Sequence, residues 1–93
     1  LIAPHVLYRD HCHKAPELYV PLTGPHGWRF GPHTPLIAKP AHHPVWNDAH
    51  RPHMTKVGPT PFLALFGWIQ DVRQVAQVIP APDWPALEAL RLE

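Results

Sequence analysis

Fourteen prolines in 93 residues set the first limit on what this chain can fold into. Proline has no amide proton for a helix or a sheet ladder, so long helices are excluded and strands are confined to short runs between turns. Proline and glycine together make 19 of the 93 residues, close to the composition of disordered chains, but Leu, Ile, Val and Phe supply 24. That is above the roughly one-fifth below which too little apolar surface is available to form a core. The expectation is a folded, loop-rich unit, and at 10.5 kDa there is room for one core only. A chain of this size buries about 60% of its unfolded surface. It also opens at Leu1 within a few residues of strand-like sequence. Both features set the expectation of a trimmed domain, the core part of a longer protein, whose upstream segment or partner subunit completes the core.

Several function classes drop out. A single cysteine, Cys12, makes neither an internal disulfide nor a multi-cysteine zinc knot, and the absence of serine removes every serine-nucleophile hydrolase. A net charge of +1, with basic residues scattered singly, gives no footprint for nucleic acid. No apolar run approaches the ~18 residues of a membrane span, and no signal-like segment opens the chain. The expected protein is soluble and cytoplasmic, with neither nucleic acid nor membrane as a partner.

Strand-like runs occur at His5–His13, Glu17–Leu22, Trp28–Phe30, Leu36–Ala38, Val45–Asn47, His53–Val57 and Phe62–Ile69, separated by turn chemistry such as Thr23–Gly27. The first two, joined by Lys14-Ala15-Pro16, read as a hairpin. Phe62–Ile69 is long and apolar enough to be a central strand. Asp71–Val78 reads as a turn or two, and residues 83–92 as a helix, because Asp83 stands at an N-cap position with Pro85 in the first turn. Short, regularly spaced strands predict an all-β fold, an antiparallel sandwich or jelly-roll barrel over residues 5–78 with a short C-terminal helix. Residues 1–93 then form a single domain.

Chemistry concentrates in the first two strands. Side chains two apart share a face of a strand, so His11 and His13 project together, as do Glu17 and Tyr19. Two imidazoles and a carboxylate suit Zn²⁺, Fe²⁺, Mn²⁺, Co²⁺ or Ni²⁺. A further ligand has to come from the later histidines, and His53 is best placed because it begins a strand, whereas His26, His33, His42, His43 and His50 lie among prolines and glycines in expected surface loops. Without a metal, the same residues would read as a hydrogen-bonded core network.

The spacing His11-X-His13-X3-Glu17-X6-Gly24 resembles the first motif of the cupins, except that His5 stands where the motif opens with glycine. More narrowly, Tyr8-X2-His11-X-His13-X3-Glu17-X-Tyr19 is similar to the signature of the cupin-type dimethylsulfoniopropionate (DMSP) lyases and their lyase-like relatives. Val45-Trp46-Asn47, Pro52-His53 and Pro61–Trp68 resemble that family's second motif and following strand, so the likeness runs from residue 5 to about 72. His50 and Val57 stand where the general second motif has glycine and asparagine.

The resemblance implies a small cupin in which His11, His13, Glu17 and His53 hold a divalent transition metal, with Fe, Mn and Zn as the candidate ions. It also implies that Tyr8 and Tyr19 are phenols of the pocket, one of them a base. Parity turns Tyr8 away from His11 on an ideal strand, and a bulge near Asp10 would re-aim it. The implied reaction cleaves a small carboxylate, dimethylsulfoniopropionate, by β-elimination to acrylate and dimethyl sulfide. A sulfonium needs an aromatic wall, for which Trp28, Trp46 and Trp68 are the candidates. Phe66 is expected in the core, and Trp84 is expected to anchor the terminal helix. Cys12 is read as a small buried residue facing away from the metal. Arg9, Arg29 and Lys56 are expected at the solvated surface. Two other readings stay open on the same ligands: a different metal-dependent cupin enzyme, a dioxygenase or isomerase, and a non-catalytic cupin that binds a metal or small ligand. A homodimer is the expected assembly, since a short jelly roll with an apolar strand has edges to cover.

Overall fold

The computed structural model describes residues 1–68, 70, 73 and 75–92. Among them are the strands β1 (Leu7–Cys12), β2 (Glu17–Pro21), β3 (His26–Arg29), β4 (Ile37–Lys39), β5 (Val45–Asn47), β6 (His53–Lys56), β7 (Ala64–Trp68) and β8 (Gln77–Val78), followed by one helix, α1 (Trp84–Ala89). None of these strands exceeds six residues, as the proline density requires. They form two antiparallel sheets, ordered β4-β3-β6-β1-β8 and β5-β2-β7. This is the small cupin jelly roll with a short C-terminal helix. No helix among the described residues is long and apolar enough to cross a membrane.

The core lies between the sheets, where Trp28 from β3 and Val45 from β5 meet Val57 and Phe62. An isolated bridge between Ile2 and Phe62 ties the start of the chain to the same region.

The first two strands are not a hairpin. β1 pairs with β6 and β8, while β2 pairs with β5 and β7, so residues 14–16 turn a corner from one sheet to the other. Pro16 has no amide proton to give to a hairpin ladder, and Ala15 and Pro16 are instead buried at the corner. The consequence is that His11 and His13, at and just past the end of β1, and Glu17 of β2 face each other across the interior rather than side by side on one surface.

β7 also departs from expectation. It sits at the edge of the three-stranded sheet, because β2 takes the centre, and it leaves Leu65 64% and Phe66 67% exposed. Within the stretch read as turns, Gln77 and Val78 form β8 against Cys12 and His11. The remainder of that reading at Asp71, Val72 and Gln74 lies outside the described residues, as does the end of the expected strand at Ile69.

The terminal helix is shorter than its sequence pattern suggests, ending where Leu90 turns extended. Asp83 makes no side-chain cap bond; its carboxylate accepts from Arg29 instead, at 2.6 and 3.1 Å. Arg29 and Lys56 are not surface residues. Arg29 is buried against Asp10 and Asp83, and these carboxylates hold the guanidinium firmly charged by raising its pKa. Lys56 is fully buried and donates to the carbonyls of His5 (2.6 Å) and Glu88 (2.9 Å). Both cations lie beneath α1 and the N-terminal segment, where a buried charge is tolerated only with such partners. Arg9 does stay at the surface, paired with Glu88.

Two histidines explain the departures from the cupin glycine pattern. His5 and His50 both adopt left-handed backbone, with φ of 65° and 61°, the region in which glycine is free and other residues are strained. At the close of the first motif, a methyl group on Gly24 would collide with the backbone of Ala41.

Candidate metal centre

His11 reaches the interior from the end of β1, His13 from just beyond that end, and His53 from the start of β6. The register pairs His11 with His53. Between Tyr8, opposite Thr55, and His11, opposite His53, three steps on β1 match two on β6. This one-residue slip at Arg9–Asp10 reverses the facing of Tyr8, which lies stacked on His11 with ring centroids 4.4 Å apart.

All three imidazoles are buried, and one ligand atom from each falls within 4.8 Å of the others. Each ring is fixed in the same way. Nδ1 of His11 bonds the Arg9 carbonyl (2.6 Å), Nδ1 of His13 that of Ala15 (2.8 Å), and Nδ1 of His53 that of Arg51 (2.9 Å). Carbonyls only accept, so the proton resides on Nδ1 and Nε2 presents a lone pair. Glu17 crosses from the other sheet and places Oε1 3.4 Å from His13 Nε2 and 3.7 Å from His53 Nε2. Its carboxylate is oriented by Asn47 Nδ2 (3.3 Å) and Trp68 Nε1 (2.5 Å).

The cluster therefore turns acceptors toward acceptors. His53 Nε2 is buried with no hydrogen-bond partner, a costly state for a polar atom in the interior. Burial, followed by the neighbouring His11, pushes the His53 pKa down to about 4, and burial lowers that of His11 as well. Neutral imidazoles with outward Nδ1 donors and an adjacent carboxylate are the donor set of a divalent transition metal. A hydrogen-bonded core network would not leave His53 Nε2 unpaired. The residues present fit such an ion.

Beside the cluster opens a cavity of about 310 Å³ lined by Tyr8, Glu17, Tyr19, Phe62, Phe66 and Trp68, with Leu1, Ile2 and Ala64 at its apolar wall. Burial first, then the Glu17 charge, raises the pKa of both tyrosines.

Of the three tryptophans expected to line a substrate wall, the structure brings only Trp68 there. Trp28 is buried in the core against Tyr19 and Phe62, since the inward face of β3 packs on the opposite sheet. Trp46 lies on the outer face of β5 and donates to Asp48 at 2.6 Å. Phe66, expected in the core, lines the cavity because β7 is an edge strand. Cys12 is only half-buried, alongside His50 and Gln77. His26, expected in a loop, is a buried residue of β3 that bonds Thr23 and the Gly58 amide. Asn47 was not singled out in the sequence. Its signal is a polar residue two places after Val45, on the inward parity of a short strand.

No family model matches the chain, and no curated protein matches it. Among solved structures, it is similar to DMSP lyase DddQ from Ruegeria pomeroyi DSS-3, with a TM-score of 0.71 and 26% identity over 84% of this chain. The chain spans 39% of the length of that protein. The chain thus shares the cupin jelly-roll fold of that structure, and its buried histidine cluster is a candidate metal centre.

Proposed function

We propose that this chain carries the active centre of a metal-dependent carbon–sulfur lyase, which cleaves dimethylsulfoniopropionate or a related small carboxylate by β-elimination to acrylate and dimethyl sulfide. The observation that carries the reading is the juxtaposition of a buried imidazole cluster, with His53 Nε2 left unpaired, and a cavity bordered by two tyrosines and aromatic rings. Likeness to a solved DMSP lyase supports it.

His11, His13, His53 and Glu17 would hold the ion. When bound, it supplies Lewis-acid stabilisation of the substrate carboxylate and of the enolate-like charge developing beside it, and favours ionisation of a neighbouring phenol. The chain's own groups do the remaining work. A tyrosine oxygen, Tyr19 or Tyr8, takes the proton from the carbon next to the carboxylate. The freed electron pair forms the new carbon–carbon double bond, and the carbon–sulfur bond breaks with its electrons going to sulfur. Dimethyl sulfide leaves neutral, so no strong acid is needed at that end. Phe66 and Trp68 offer ring faces to the sulfonium, an attraction of about 0.5–2 kcal/mol.

Headspace analysis for dimethyl sulfide, with protein loaded with Mn²⁺, Fe²⁺ or Zn²⁺, tests the reading. Production above the metal-free control is expected with at least one ion. Stoichiometric metal binding without dimethyl sulfide from any of them rejects this activity, and oxygen uptake with a small carboxylate would point to a dioxygenase instead.

A further inference from the structure

We infer that Asp10 is a positioning residue for the candidate metal centre, through which α1 holds the β1 bulge and thereby sets the orientations of His11 and Tyr8. The inference rests on the metal reading of the centre.

Asp10 is fully buried and occupies the bulge itself. Its carboxylate accepts three hydrogen bonds: Arg29 Nε at 3.0 Å, Arg29 Nη2 at 2.5 Å and Trp84 Nε1 at 2.8 Å. Arg29 in turn binds Asp83, so both donors lead to the start of α1. The other bulge residue is gripped by the same helix, since Arg9 bonds Glu88 and lies over the Trp84 ring, 4.9 Å from its centroid. The residue after β8 closes the third side, where the Ile79 amide donates to the Asp10 carbonyl at 2.9 Å.

The link to the centre is short and covalent. The Arg9 carbonyl is the acceptor that fixes the His11 ring at 2.6 Å, and Tyr8 stacks on that ring. A bulge is an irregular piece of strand whose backbone can relax. Charge-assisted bonds that fork from a rigid guanidinium onto a buried carboxylate hold it in one geometry. If the carboxylate lets go, the Arg9 carbonyl shifts, and both the His11 tautomer and the Tyr8 stack lose their support. His13 is anchored on Ala15 and His53 on Arg51, outside this grip. Asp10 therefore acts selectively, on His11 and Tyr8.

The test compares Asp10→Asn and Trp84→Phe with Thr23→Ala, a control whose lost bonds to His26, Pro61 and Leu63 lie away from the bulge. Co²⁺ is the probe. Wild-type protein and the control are expected to share one visible absorption spectrum and affinity, whereas Asp10→Asn weakens Co²⁺ binding about 10–100-fold and alters the spectrum. Trp84→Phe, which removes one hydrogen bond and keeps the ring packing, shifts both in the same direction by less, and it carries the test if Asp10→Asn does not fold. Wild-type affinity and spectrum in the folded variants overturn the inference. Imidazole nitrogen shifts in metal-free protein separate it from the metal reading: His11 is expected to change in Trp84→Phe and His13 to stay. An unchanged His11 overturns the positioning role, whereas failure of wild-type protein to bind Co²⁺ removes the metal reading alone.

Discussion

Tyr8 lies flat on His11, ring planes 13° apart, although the two are three residues apart on one strand. A regular strand would send them to opposite faces. The stack exists because β1 slips by one residue against β6, and it brings a phenol to the rim of the histidine cluster.

The cluster is expected to bind about one equivalent of a divalent transition metal. His53→Ala and His13→Ala are each expected to lower the affinity by at least tenfold, since each removes a buried donor from the set. Metal analysis after gel filtration measures this. Unchanged metal content in both variants would reject the site.

The two phenols are separable by conservative substitution. Tyr19→Phe is expected to lower kcat for dimethyl sulfide release by about 10²–10⁴, the range for loss of a positioned base, with metal content retained. Tyr8→Phe is expected to lower it less, its main loss being an interaction on the rim. Steady-state kinetics on metal-loaded protein checks the order, and the reverse order would make Tyr8 the base.

Acid is expected to destabilise the metal-free protein. The His53 pKa falls to about 4 in the native state, against ~6.5 in an unfolded chain. Between these values the unfolded chain binds a proton that the folded chain refuses, so stability is complete above pH 6.5 and is lost as pH drops toward 4. The loss is on the order of 3 kcal/mol from this residue. Urea unfolding across that range should show the slope, and His53→Gln should flatten it. A wild-type profile already flat from pH 7.5 to 4.5 contradicts the burial of neutral His53.

His50→Gly is expected to stabilise the fold. The left-handed backbone at His50, with φ of 61°, strains a residue that has a β-carbon. Relief of about 1 kcal/mol raises the melting temperature of a domain this small by about 4–8 °C. Calorimetry measures the shift. An unchanged or lower Tm would mean that the histidine side chain compensates for its backbone.

Parity along single strands made His11 with His13, and Glu17 with Tyr19, readable as pairs, because side-chain alternation is a local property of the chain. Proline density likewise dictated short strands. Relations between segments are not legible in this way. A three-residue connection looks the same whether it closes a hairpin or turns a corner between sheets, and only the pairing of β1 with β6 and β2 with β7 decided in favour of the corner. Arg29 and Lys56 look solvated in the sequence because lone basic residues usually are. Their carboxylate and carbonyl partners come from distant parts of the chain. Phe66 and Trp28 exchanged expected roles for the same reason, since an edge strand exposes what a central one would bury.

The sequence by itself determined which residues pair on a strand face, His11 with His13 and Glu17 with Tyr19, the short-stranded all-β class and a short helix in the tail, all of which depend on residue type and near spacing. Tertiary structure alone decided that the acceptors face one another across two sheets with His53 Nε2 unpaired. It also decided that Tyr8 turns inward and that a buried arginine ties the terminal helix to the bulge beneath it. Those outcomes depend on which strands exchange hydrogen bonds and on the burial that results, and neither is a property of any one stretch of residues.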